Sequence, residues 1–206
     1  WAYIGSSLSF TLDRTNTAMD NTLNLITPLF RSGMLQKMKS SIPDEIDVNW
    51  IIVISKERAI LIHECETLGL PYLLIDEPDV RESIPVKINK GIHFMKKGFF
   101  QGLDDDTTFN YKCYQTFHKY KDTHKIIIGQ QALKDGQIRP AQIPQRCYTD
   151  GAQMLIHSDI VKQVKLGCFT VDPQADCQFM LDALALAKPE ETLILHEVIS
   201  NYNFLR

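Results

Sequence analysis

Short apolar runs rich in β-branched residues recur along this chain, and amphipathic stretches of helical length separate them. Trp50-Ile51-Ile52-Val53-Ile54 is the clearest, a run that reads as a strand buried on both faces. Leu23-Asn24-Leu25-Ile26-Thr27, stopped by Pro28, precedes it. Pro71-Tyr72-Leu73-Leu74-Ile75, Phe99-Phe100-Gln101-Gly102-Leu103 and Lys125-Ile126-Ile127-Ile128-Gly129 follow it. Between these runs the spacing predicts helices over 32–41, 57–68, 85–97 and 109–120, the third opened by Pro85, which a first helical turn tolerates. Strands alternating with helices at this pitch predict an α/β class chain: a three-layer α/β/α sandwich with a mostly parallel central sheet. After Gly129 the pattern loosens through Pro140 and Pro144, then gives helices at 158–163 and 176–187 and a last apolar run at 192–195. Residues 1–20, rich in Ser, Thr and Asn, read as an extension or an edge strand ahead of a single domain over 21–206. The loosening near 130 splits that domain into two halves of one fold.

Composition narrows the function. The chain has 206 residues, 44% apolar and 23% charged, which excludes disordered and low-complexity classes. Its net charge of −3 argues against a nucleic-acid binder that works by neutralising phosphates. No apolar run approaches the ~20 residues a bilayer requires, and no stretch has the make-up of a secretory leader. Five cysteines, an odd number without a CxxC pair, read as reduced and mostly buried thiols. These features predict a cytoplasmic location, in solution or at the cytoplasmic face of a membrane. The six histidines form no HxH or HxxxH pair, so a histidine-built metal site is not expected.

Asp104-Asp105-Asp106 ends the fourth strand, at the carboxyl edge where open α/β sheets bind ligands. Three adjacent carboxylates repel one another, and a cation resolves that conflict. Hard oxygen ligands suit Mg²⁺ or Mn²⁺, completed by substrate phosphates. In an extended segment Asp104 and Asp106 point one way and Asp105 the other. A solvated acidic turn, or acids at a helix N-terminus, is the plainer alternative.

Gly102-Leu103-Asp104-Asp105-Asp106-Thr107 resembles the DxD segment of GT-A-fold glycosyltransferases, particularly the small family-2-like enzymes that use nucleotide sugars. The resemblance runs in order over 21–206. Leu25-Ile26-Thr27-Pro28-Leu29-Phe30-Arg31 is similar to their first strand and nucleotide-holding loop. Val86-Lys87-Ile88-Asn89-Lys90-Gly91 resembles a basic residue, Asn and Gly upstream of DxD. Tyr148-Thr149-Asp150-Gly151-Ala152-Gln153 looks like the sugar-facing segment, and Ala175-Asp176-Cys177-Gln178-Phe179 like the one that carries the catalytic acid. Ile199-Ser200-Asn201-Tyr202-Asn203-Phe204-Leu205-Arg206 matches the C-terminal signature. Two departures stand out. Ser55-Lys56-Glu57 occupies the place of a base-contacting acid, and Ile88 replaces an Arg, leaving Lys87 as the cation.

The resemblance implies a GT-A-like fold with a nucleotide-binding half, 21–129, and an acceptor and catalytic half, 130–206. It implies transfer from a nucleotide sugar, first of all a UDP-sugar, to a hydroxyl of a glycan or lipid-linked saccharide. Mn²⁺ or Mg²⁺ would be held by Asp104 and Asp106. Thr27, Pro28, Arg31, Lys56, Lys87, Asn89, Asp104, Asp105, Asp150 and Gln153 would hold the donor, and Asp176 would be the general base of an inverting displacement. A helix N-cap is the plainer role for Asp176, and His196 reads as a surface or core residue rather than a metal ligand. Asp104-x-Asp106-x-Thr108 also fits the DxDxT nucleophile of haloacid-dehalogenase-like phosphatases, with Asp172-Pro173-Gln174-Ala175-Asp176 as a late acidic motif. That nucleophile ends a first strand, whereas four strands precede or reach residue 104. A nucleotide-sugar-binding module without turnover is a third alternative.

Overall fold

The computed structural model describes residues 21–144, 150–167 and 175–205. Its elements follow the order β1 (Thr22–Pro28), α1 (Leu35–Ser41), β2 (Val48–Ser55), α2 (Ala59–Leu68), β3 (Tyr72–Ile75), α3 (Ile84–Phe94), β4 (Gly98–Gly102), α4 (Tyr111–Tyr120), β5 (Ile126–Leu133), β6 (Ile138–Arg139), β7 (Met154–His157), α5 (Ser158–Val161), α6 (Ala175–Leu186) and β8 (Thr192–Tyr202). The strands form one eight-stranded sheet in the order β3-β2-β1-β4-β7-β5-β6, with β8 beside β5. Only β7 and β6 run against the rest, so the sheet is mostly parallel.

Successive residues of the strands point to opposite faces, and both faces are covered. Ile26, Ile51, Val53, Phe100, Ile126 and Ile156 join a core with Ile92 of α3, Ile160 of α5 and Phe179 of α6. Leu25, Ile52, Ile54, Phe99, Ile127 and Leu155 join the other, with Leu35 of α1, Leu61 of α2 and Phe117 of α4. This double burial is why the strands read as unbroken apolar runs. The N-terminal half builds outward from β1 through helices on one face. It then returns over the other face through α3 to place β4 on the far side of β1. A crevice opens between β1 and β4 where the strand order reverses.

Two strands were not expected from the sequence. β7 is central and fully buried, paired with β4 through Phe99↔His157 and with β5 through Ile127↔Leu155. β6 is a two-residue partner of β5. Other bounds shift slightly: β1 runs through Pro28, α3 stops at Phe94, and β8 continues from the 192–195 run to Tyr202.

The Gly91 of the basic-Asn-Gly segment has a packing cause. A Cβ there would stand 2.5 Å from Cγ2 of Ile26, which is itself fully buried. Gly91→Ala is expected to destabilise the fold by about 1–3 kcal/mol through overpacking between α3 and β1. Urea denaturation reads this directly, and an unchanged midpoint would show that the contact relaxes freely.

Candidate active site

A cavity of about 680 Å³ opens at the carboxyl ends of β1 and β4, and Asp104, Asp105, Asp106, Asp150 and Asp176 all reach it. Phe30, Arg31 and Arg81 reach it from the N-terminal half, Tyr202 and Asn203 from the end of β8.

The three adjacent aspartates do different work. Asp105 turns back toward β1: its Oδ2 accepts the backbone N–H groups of Phe30 at 2.7 Å and Arg31 at 2.9 Å. Its Oδ1 pairs with the Arg31 guanidinium, which also lies 3.1 Å from Asp106 Oδ2. Burial pushes the Asp105 carboxyl up, against the downward pull of those backbone bonds and of Arg31. The Asp106 carbonyl accepts the N–H of Leu205 at 2.8 Å, which ties the end of the chain to the triplet. Asp104, half-buried, pairs with no cation among the described residues. Burial, and then the charges of Asp150, Asp106, Asp176 and Asp105, hold its carboxyl well above the usual range.

Asp176 lies inside the first turn of α6. Burial and then Asp150 push its carboxyl up to about 7. A carboxyl that titrates near neutrality is matched to proton transfer. Asp150 caps the turn Gly151–Gln153, its Oδ1 accepting Ala152 N–H at 2.9 Å, while its Oδ2 stands 3.3 Å from Arg139 Nη1.

The donor set fits a hard divalent cation in one particular way. Among the described residues, no three Asp, Glu, His or Cys side chains are arranged to cage an ion. Instead, Asp104 presents a carboxyl group ringed by Asp150, Asp106, Asp176 and Asp105, whose ionised form a cation would favour, with Asp106 two residues on. Mg²⁺ and Mn²⁺ are commonly held by one or two carboxylates and completed by phosphate oxygens and water.

Of the residues expected to hold the donor, Pro28, Arg31, Asp104, Asp105 and Asp150 line the cavity, and five others do not. Thr27 is fully buried, its Oγ1 accepting the Trp50 indole N–H at 2.9 Å. Lys56 pairs with Asp76 on the surface. Lys87 is fully buried against Asp79 and the Leu29 carbonyl. Asn89 exchanges two bonds with the backbone of Leu166, at 2.9 and 3.1 Å, and so carries a cavity-lining residue without reaching the cavity. Gln153 is fully buried: its amide donates to the Gly129 and Pro140 carbonyls and its Oε1 accepts the N–H of Asp150. It braces Asp150 instead of meeting a sugar. His196 is exposed on β8 and does not line the cavity. Cys65, Cys113 and Cys177 are buried, in keeping with the reading of mostly buried cysteines. Residues 1–20, Cys147, Tyr148, Thr149, Cys168, Asp172, Pro173 and Arg206 lie outside the described residues.

Sequence reasoning missed Phe30, Arg81, Tyr202 and Asn203 as walls of the cavity. Phe30, Tyr202 and Asn203 stand inside recognised segments. Arg81 belongs to a short 3₁₀ turn after β3 that carries no periodic signal.

The fold recurs in solved structures. S. aureus TarS 1–349 in complex with UDP-GlcNAc superposes with a TM-score of 0.66 at 13% identity, over 88% of this chain and 58% of that one. Its complex with UDP gives 0.64 at 13% identity, over 88% and 60%. 4-Diphosphocytidyl-2C-methyl-D-erythritol synthase from Anaerococcus prevotii gives 0.53 at 12% identity, over 88% and 90%. The chain therefore has the GT-A-like fold of TarS, and it spans about 60% of the length of TarS 1–349. No protein-family model and no curated protein sequence matches it. No helix among the described residues is long and apolar enough to cross a membrane.

Proposed function

We propose that this chain is a metal-dependent glycosyltransferase that moves a sugar from a nucleotide-diphosphate sugar to a hydroxyl of a glycan or lipid-linked saccharide, with inversion. One observation carries the reading. The acidic end of β4 and a carboxyl held near neutrality on α6 share one cavity, in a fold that TarS uses around UDP-GlcNAc.

In this reading Phe30, Ile84 and Ile88 offer apolar surface to the nucleotide, and Arg31 and Arg81 bring positive charge to the diphosphate. A divalent ion held by Asp104 and Asp106 would neutralise charge on the leaving diphosphate. Asp176 takes the proton of the acceptor hydroxyl as its oxygen bonds to the anomeric carbon and the carbon–phosphate-oxygen bond breaks. Asp150, held by its cap and by Arg139, faces the same space and can accept from a sugar hydroxyl.

Product analysis separates this from its rivals. A glycosyltransferase releases free nucleoside diphosphate from a nucleotide sugar only as glycoside forms. A nucleotidyltransferase releases pyrophosphate from a nucleoside triphosphate. The haloacid-dehalogenase-like reading gains no support: four strands lead up to Asp104, and β1 ends on Thr27-Pro28 without a carboxylate. A binding module would release nothing.

UDP-sugars are expected to raise the melting temperature more than GDP-, CMP- or TDP-sugars at equal concentration, because a ligand that binds only the folded state stabilises it according to its affinity. A larger shift with a GDP-sugar would overturn the choice of base.

A further inference from the structure

Two cations and a carboxylate lie packed behind the loop that leaves β1. Asp79 follows β3, Arg58 precedes α2 and Lys87 stands on α3. The side chains of Lys87 and Asp79 are 0% and 2% exposed. Lys87 Nζ is 2.5 Å from Asp79 Oδ1, and Arg58 Nη1 is 2.7 Å from Asp79 Oδ2. Each cation also donates to one carbonyl of the loop, Lys87 to Leu29 at 2.8 Å and Arg58 to Phe30 at 2.9 Å. The Lys87 ammonium further sits 3.4 Å from the centre of the Phe30 ring.

Buried ion pairs of this kind give little net stability, because desolvation offsets their attraction. What this one does is geometric. Two consecutive carbonyls, of Leu29 and Phe30, are drawn to the cluster, while the N–H groups of Phe30 and Arg31 are drawn to Asp105. The loop is held from both sides, with Phe30 and Arg31 facing the cavity between them.

We infer that Arg58, Asp79 and Lys87 are positioning residues that set the loop Leu29–Arg31, and through it the affinity for the nucleotide, without touching the nucleotide. This rests on the glycosyltransferase reading. It replaces a direct donor contact by Lys87 with an action through the backbone.

UDP in the presence of Mn²⁺, titrated calorimetrically into wild type and into Asp79→Asn, tests it. A loop that keeps its binding geometry only about a tenth to a hundredth of the time weakens apparent affinity by that same factor. The dissociation constant for UDP is therefore expected to rise by about ten- to a hundredfold in Asp79→Asn. The kcat at saturating donor should stay within about threefold, since uniform binding is what is lost. Arg58→Gln, altered at a side chain 35% exposed, should weaken UDP in the same sense and serves if the buried substitution does not fold. Phe117→Leu, on the core face of α4, provides a destabilised control whose UDP affinity should not change. Wild type that binds no UDP overturns the glycosyltransferase reading and this role with it. Wild type that binds UDP, with Asp79→Asn and Arg58→Gln binding equally well, overturns the positioning role alone. An equal loss of affinity in Phe117→Leu also overturns it, by reducing the effect to general destabilisation.

Discussion

Asp104→Asn should stop sugar transfer and at the same time make the free protein harder to melt. The two effects share one cause. Burial and four neighbouring carboxylates raise the Asp104 carboxyl, so its ionised form is disfavoured in the folded state. A carboxyl raised on folding binds more protons folded than unfolded, and stability falls as pH rises above the unfolded value of about 3.9. Asn keeps the shape and removes that charge. The gain in melting temperature should be present at pH 7 and shrink toward pH 4, where the unfolded chain also takes up the proton. Function moves the opposite way. With one of two oxygen ligands gone, stabilisation of the leaving diphosphate worth several kcal/mol is lost, a fall in turnover of about 10²–10⁴-fold. Mn²⁺ should raise the melting temperature of wild type and leave that of Asp104→Asn nearly unmoved. Equal Mn²⁺ shifts in the two proteins, or full turnover of wild type in EDTA, would remove the metal from the proposal.

The parts of this molecule that were legible in the sequence are those whose physics is local. Trp50–Ile54 reads as a buried strand because both of its faces enter a core, Ile51 and Val53 on one side, Ile52 and Ile54 on the other. The acidic triplet is visible because three carboxylates in a row are improbable without a cation or a partner. β7 is not visible, because Met154-Leu155-Ile156 is too short to declare itself. Its place is fixed by β4 and β5, which the sequence keeps far apart. Lys87 shows the same limit from the other side. Its spacing to Asn89 and Gly91 marks it as important, but nothing local says that Asp79 folds onto it or that its ammonium faces the protein interior. Gln153 could have been placed correctly. Asp150-Gly151-Ala152-Gln153 is a capping box, an acceptor at the N-cap and an amide three residues later, and that pattern argues for bracing over sugar contact.

Asp176→Asn should separate chemistry from binding. Asp176 stands in the first turn of α6, in the half of the fold opposite the nucleotide-side loop, and lines the cavity that Asp104 also reaches. Burial and then Asp150 hold its carboxyl at about 7. As a base it must be ionised, so kcat/KM should fall about tenfold per pH unit below that value and level off above it. Asn preserves size and polarity but accepts no proton from an incoming hydroxyl. General-base contributions run about 10²–10⁴-fold, so kcat should drop by that factor and the acid limb should disappear, while UDP affinity changes little. The sign on stability follows from the same shift. With its folded value raised from 3.8, the ionised carboxylate costs the fold stability as pH rises through 7, so the Asn variant should gain most in melting temperature above that pH. A variant with weaker UDP binding, intact turnover and an unchanged acid limb would make Asp176 a donor contact. A product with retained anomeric configuration would remove the need for a base at this position altogether.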